Sequence, residues 1–170
     1  IKNILIIGCG TLGLRIGLRC AMDGFNVKMY DVSDDALQKA RSVQNKLLKS
    51  FVKKGEITEG GYELIQSRIS TTTDKAEAVK GIDLMSESVT EDLALKKKVY
   101  EDFAPLWEPQ TLLTTNTSYL LPSYFAEETG RPERFCAFHF HDVFTMNVVD
   151  IMPHPNTEGW FIDLLKDFGK

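Results

Sequence analysis

The stretch Ile4-Leu5-Ile6-Ile7-Gly8-Cys9-Gly10-Thr11-Leu12-Gly13 runs from a short apolar segment into three glycines at GxGxxG spacing. Four consecutive apolar residues suit a strand buried on both faces. The glycines then have separate tasks. Gly8 permits a tight turn, Gly10 leaves room for a pyrophosphate, and Gly13 lets a helix pack closely on the strand. The helix that begins at Thr11 and Leu12 presents free N–H groups and a partial positive charge to the phosphates.

The residues downstream complete this pattern. A helix is expected from Thr11 to Met22, ended by Asp23-Gly24, and a second strand over Val27–Tyr30. Asp31 ends that strand, where a carboxylate accepts hydrogen bonds from the adenosine ribose and repels the extra phosphate of NADP. Val32 and Ser33 supply no cation to offset the repulsion, so the expected cofactor is NAD.

Ser33 is an expected N-cap for a long helix with apolar positions Ala36, Leu37, Ala40, Val43, Leu47 and Phe51. Lys46, Lys49, Lys53 and Lys54 then form its solvated face. A further helix over Thr58 to Gln66 makes a helical hairpin inserted between sheet units. Ile69–Thr71, Leu84–Ser86, Leu112–Thr115, Phe135–Phe138 and Val148–Ile151 are strand candidates. Glu91 to Ala104 is an expected helix stopped by Pro105, and Trp160 to Phe168 an amphipathic one capped by Gly169. Strands alternating with helices predict an α/β, Rossmann-like, doubly wound and mostly parallel sheet, with residues 1–170 as one NAD-binding domain.

Composition narrows the function classes. The chain has 170 residues with 20 basic against 24 acidic side chains, a net charge of −4 that argues against nucleic-acid or anionic-membrane partners. No apolar run approaches membrane-spanning length, and Ile1–Ile7 meets Gly8 without the features of a signal peptide. Cys9, Cys20 and Cys136 are too few and too scattered for a disulfide framework, which suits a reducing, cytoplasmic setting.

A Rossmann domain alone does not name a reaction. Asn116-Thr117-Ser118 follows the candidate strand Leu112–Thr115, where open α/β sheets bind ligands. Thr117 or Ser118 is also a candidate N-cap for a following helix. His139 sits at the end of another strand, placed to take a hydroxyl proton as hydride leaves for a nicotinamide. Asp150, on the next strand, is its candidate orienting partner. His141 shares a strand face with His139, so His139, His141 and Asp142 could reach one ion. Dehydrogenation with a general base needs no metal, and none is expected.

These motifs resemble the L-3-hydroxyacyl-CoA dehydrogenases and their 3-hydroxybutyryl-CoA members over essentially the whole chain, as the N-terminal NAD-binding domain. The resemblance rests on Gly8, Gly10, Gly13 and Asp31, and on the hairpin from Lys53-Lys54-Gly55-Glu56-Ile57-Thr58-Glu59. It continues through Arg68-Ile69-Ser70-Thr71-Thr72-Thr73-Asp74, the acidic segment Asp83 to Leu93, Thr115-Asn116-Thr117-Ser118-Tyr119 and His139-Phe140-His141-Asp142-Val143. It implies that Glu91, Lys96 and Asn116 contact the dinucleotide. Ser118 would lie between nicotinamide and substrate, and His139 would act as base in oxidation and acid in reduction. The family's paired glutamate falls on Asp150.

The departures are specific. The family's Asn-Pro after the catalytic histidine is replaced by Asp142-Val143, which sets a negative charge near the acyl site. The orienting carboxylate is one methylene shorter. The family's C-terminal helical domain, which supplies a further catalytic asparagine, much of the acyl-CoA pocket and the dimer contact, is absent from this chain. Met152-Pro153-His154-Pro155-Asn156-Thr157 also resembles the lambda-crystallin and gulonate dehydrogenase relatives. Three readings stay open: a 3-hydroxyacyl-CoA dehydrogenase domain, homodimeric when full-length; a dehydrogenase of a free hydroxy acid such as carnitine or a sugar acid; and a non-catalytic NAD-binding module.

Overall fold

In the structure, a computed structural model that describes residues 1–146 and 148–170, seven strands form one sheet in the order β3-β2-β1-β4-β5-β6-β7. The strands are β1 (Asn3–Ile7), β2 (Asn26–Tyr30), β3 (Ile69–Thr72), β4 (Leu84–Glu87), β5 (Leu112–Thr115), β6 (Phe135–Phe140) and β7 (Val149–Met152). The first six run parallel, and β7 returns antiparallel to β6. The order reverses between β1 and β4, and such a switch point opens a crevice at the carboxyl ends of the strands.

The apolar run at β1 is buried for the reason its composition implies. Ile4 and Ile6 pack on one face of the sheet, with Val27 and Met29 and the helices α1 (Thr11–Met22), α2 (Asp34–Lys53) and α3 (Glu59–Ser67). Leu5 and Ile7 pack on the other, with Met85, Leu113, Tyr100 and Phe103. Tyr100 and Phe103 belong to α5 (Leu93–Phe103), while α6 (Gly159–Phe168) sends Phe161 and Leu165 onto Leu84, Cys136 and Phe138.

The local punctuation follows the expected chemistry. Ser33 Oγ accepts from Ala36 N at 3.2 Å and Thr58 Oγ1 from Gly61 N at 3.0 Å, capping α2 and α3. Gly24 takes φ +100° after α1, a conformation that favours glycine. Lys46, Lys49, Lys53 and Lys54 are exposed.

Four details differ from the sequence reading. On α2 the buried residues include Gln44 and Leu48, whereas Val43 and Leu47 are only partly buried. Gln44 Nε2 donates to Leu14 O at 2.8 Å, while its Oε1 has no hydrogen-bond partner among the described residues. A short helix, α4 (Lys75–Ala78), capped by Asp74, precedes β4. No α-helix follows Thr117 or Ser118; the crossover from β5 to β6 is three 3-10 turns, Pro122–Tyr124, Glu127–Thr129 and Pro132–Arg134. Pro122 lacks the N–H that would continue a helix begun at Ser118, and Gly130 turns left-handed at φ 72°. Gly169 does end α6, but with φ −81°; its lack of a side chain serves packing, since a Cβ there would meet Val149 Cγ1 at 3.0 Å.

Candidate cofactor groove and active site

The three glycines of the opening motif are required for three different reasons. Gly8 has φ +93°, and a Cβ on it would lie 2.8 Å from the backbone of Ser88 and Val89, across the switch point. A Cβ on Gly13 would lie 2.0 Å from Gly8 O. At Gly10 an added Cβ meets nothing within 4 Å, because the position faces open space. That space is a groove of about 720 Å³ between Gly8–Thr11, Tyr30–Val32, α2 and Ser88–Thr90.

This groove fits a dinucleotide on the chemistry of its walls. No side chain caps the start of α1 and no acidic residue lies in its first turn, so its N–H groups are available to an anion. Asp31 stands at the end of β2 with Oδ2 accepting from Cys9 N at 2.9 Å and Oδ1 from Ser33 N at 3.1 Å. These bonds fix the carboxylate and leave it further acceptor capacity for a ribose. Lys39 of α2 joins the wall, a cation that attention to Val32 and Ser33 alone overlooked. Cys9 is not a nucleophile here: burial, then the Asp31 charge, pushes its thiol up to about 12.

Around β4 and β5 the polar groups sort into two networks. Glu87 ends β4, fully buried, and its carboxylate receives Lys96 Nζ at 2.7 and 2.8 Å, Thr115 Oγ1 at 2.7 Å and Val89 N at 2.6 Å. Lys96, which the resemblance places at the dinucleotide, is 1% exposed and directs its ammonium inward to this pair. Glu91 accepts from Thr117 Oγ1 at 2.9 Å and Ser118 N at 3.2 Å, so it orders the loop after β5. Asn116 Oδ1 accepts from Phe140 N at 2.7 Å and ties that loop to the end of β6. Ser118 remains exposed beside it.

The β6–β7 pair carries the histidines. Its register sets His139 directly opposite Asp150. Asp150 Oδ2 lies 3.3 Å from His139 Nδ1 and 2.8 Å from His141 Nε2. Direct cross-strand pairing thus offsets the missing methylene of aspartate. Hydrogen bonds from His141 and then His139 hold the Asp150 carboxyl below its ordinary range. The side chains of His139, His141 and Asp150 are 16%, 34% and 50% exposed.

Asp142 does not join this group. Its Oδ1 accepts from Phe144 N at 3.0 Å and from Arg15 Nη2 at 2.7 Å, bonds that in that order lower its carboxyl pKa. The negative charge expected near the acyl site is therefore paired. His154 is not a site residue either; it is buried, with Nε2 2.8 Å from Pro132 O and its backbone N–H bonded to Thr157 Oγ1. Among the described residues, no helix is long and apolar enough to cross a membrane.

Fold and groove together define a dinucleotide-binding Rossmann domain. Residues 3–170 match the family described as 3-hydroxyacyl-CoA dehydrogenase, NAD binding domain. The chain belongs to this family, and its cofactor is NAD. It is 36% identical over 140 residues to the 3-hydroxyadipyl-CoA dehydrogenase of Escherichia coli (strain K12), covering 82% of this chain and 29% of that protein. It is 31% identical to the mitochondrial hydroxyacyl-coenzyme A dehydrogenase of Sus scrofa over 100% of this chain and 56% of that one. Among solved structures, the (S)-3-hydroxybutyryl-CoA dehydrogenase of Ralstonia eutropha superposes with a TM-score of 0.95 at 29% identity, over 99% of this chain and 60% of that one. A diketoreductase superposes at 0.93 with 33% identity over 99% and 60%.

Proposed function

We propose that this chain is the NAD-binding part of a dehydrogenase that interconverts an L-3-hydroxyacyl-CoA and a 3-ketoacyl-CoA, with His139 as the proton carrier. The observation that carries the reading is the His139–Asp150 pair, set by strand register beside the loop that bears Asn116 and Ser118. NAD, when bound, supplies the hydride acceptor. Asp150 accepts the Nδ1 proton of His139 and so keeps a lone pair on Nε2, which takes the substrate hydroxyl proton. In the reverse direction the imidazolium returns that proton to the ketone oxygen. Ser118 donates to the substrate oxygen and orients it. Glu91 and Asn116 act by holding the Ser118 loop against β6. Oxidation requires neutral His139 and reduction its protonated form. The reading includes a helical second domain completing the acyl-CoA pocket and a homodimer for the full-length protein.

A second reading, favoured by the likeness to the diketoreductase, keeps the His139 chemistry but assigns a dicarbonyl or hydroxy-acid substrate without CoA. The discriminating experiment follows NADH oxidation by the full-length protein with acetoacetyl-CoA and with free dicarbonyl acids, NADPH run in parallel. Turnover with acetoacetyl-CoA and NADH is expected. His139→Ala should lower it by about 10²–10⁴-fold while leaving NADH affinity nearly unchanged. Full activity in that variant would reject His139 as the base. Turnover confined to the free acids would establish the second reading.

A further inference from the structure

The end of the β6–β7 ribbon gathers two imidazoles and a carboxylate. His139 and His141 are two apart on one strand and face the same side, with ring centroids 4.7 Å apart. Asp150 reaches both from the facing strand, and one nitrogen from each histidine and one carboxylate oxygen lie within 4.8 Å of one another. In a tetrahedral zinc site, bonds of about 2.0–2.1 Å place neighbouring donors about 3.3 Å apart. The Asp150 Oδ2 separations of 3.3 Å to His139 Nδ1 and 2.8 Å to His141 Nε2 are close to that spacing. Two nitrogens and one oxygen suit zinc and its neighbours rather than magnesium or calcium. Three protein ligands on paired strands leave a fourth position open, and Asp150, half-exposed, gives the ion a path of entry.

We propose that His139, His141 and Asp150 form a three-ligand site for a zinc-class divalent cation, and that its occupancy switches off His139 as a base. The second clause rests on the functional reading above. A cation on Nδ1 takes the lone pair there, so the neutral ring must carry its proton on Nε2. That is the reverse of the tautomer Asp150 selects in the metal-free site. Nε2–H has no lone pair with which to accept a hydroxyl proton, and oxidation stops. His141 is what makes the site tridentate, since a His139–Asp150 pair alone offers only two ligands.

The test uses the full-length protein, stripped with chelator and titrated with Co²⁺, read by its visible d–d absorption. A saturable one-to-one signal that Zn²⁺ displaces is expected. His141→Phe should weaken Co²⁺ binding at least about 10–100-fold, the loss caused by removing even an outer-shell partner. It should also raise the half-inhibitory Zn²⁺ concentration by the same factor, measured against the variant's own metal-free rate. Asp150→Asn serves as a second variant, with circular dichroism confirming that both fold. No saturable signal, or equal affinity in wild type and both variants, would overturn the site. Binding that His141→Phe abolishes, with wild-type oxidation unaffected by the ion, would uphold the site and overturn His139 as the base.

Discussion

Replacing Lys96 by Met tests the sharpest difference between sequence and structure. The Lys96 ammonium meets both oxygens of Glu87, with 1% and 0% of the two side chains exposed. Methionine keeps the length and apolar stem but removes the cation. Glu87 would then keep neutral partners, among them the Thr115 hydroxyl and the Val89 N–H, in place of the cation. Leaving one member of a buried ion pair uncompensated costs about 3–5 kcal/mol. For a domain of this size that is a fall in melting temperature of about 6–20 °C, at about 2–4 °C per kcal/mol. Adding Glu87→Gln removes the stranded charge and keeps an acceptor for Thr115 or Val89, so the double variant should recover about 1–3 kcal/mol. The assay is urea and thermal unfolding, with NAD affinity measured by calorimetry well below the transition, where affinity should stay within about twofold because the ammonium faces Glu87. If Lys96 instead served the dinucleotide, affinity would fall by about 10–100-fold, the worth of a charged hydrogen bond, with little change in stability. That result would refute the buried-pair argument.

Three further outcomes are expected. If Asp31 holds the ribose, Asp31→Asn should weaken NAD by about tenfold or more and narrow the preference over NADP, since a charge able to accept ribose hydroxyls and repel a phosphate is gone; unchanged calorimetric affinities would remove Asp31 from the ribose site. Gly13→Ala puts a methyl 2.0 Å from Gly8 O and should destabilise the fold by about 1–3 kcal/mol or more, whereas Gly10→Ala, whose methyl meets nothing within 4 Å, should melt like wild type and lose NAD affinity. Melting curves and NAD titrations that fail to separate the two variants would contradict the groove. Hydrogen bonds from Lys75 and then Lys98 hold the Asp102 carboxyl below its ordinary 3.8, so its contribution to stability is present above that pH and is lost as pH falls through the lower folded value. Asp102→Asn should therefore flatten part of the acid limb of a melting-temperature profile, and an unaltered limb would show that the lysine contacts do not favour the carboxylate.

What could be read from the sequence was governed by local rules. Ser33 and Thr58 cap helices through bonds three residues long, and Gly8, Gly10 and Gly13 lie within one turn, so spacing alone located them. Asp150 was reachable because strand pairing converts a short sequence separation into direct opposition. Glu87 lies one residue beyond the expected strand Leu84–Ser86, a charge that is legible only with its distant partners. Lys96 was identified by type and position but not by direction, because a helical residue on the sheet side can face the groove or the interior. The β5–β6 crossover was misread for a related reason. Thr117 does act locally, its Oγ1 accepting from Leu120 N at 3.0 Å, but Pro122 and Gly130 prevent that turn from growing into an α-helix.

The departure at Asp142 acquires a different meaning once its partner is known. From the sequence alone, the carboxylate of Asp142 reads as charge added near the acyl site. Arg15, 127 residues away in sequence, takes that carboxylate at 2.7 Å. The Arg15 guanidinium also lies 4.9 Å from the Phe144 ring centre, and Phe144 packs at 5.3 Å against Phe51 of α2. Asp142, Arg15, Phe144 and Phe51 therefore join the segment after β6 to both helices that wall the cofactor groove. The arginine neutralises the Asp142 carboxylate, and its contact with the Phe144 ring supplies packing in addition. Beside this ion pair, His139 and Asp150 stand directly opposite each other in the β6–β7 register. Asp142 is thereby a structural link between the end of β6 and the helices that line the groove.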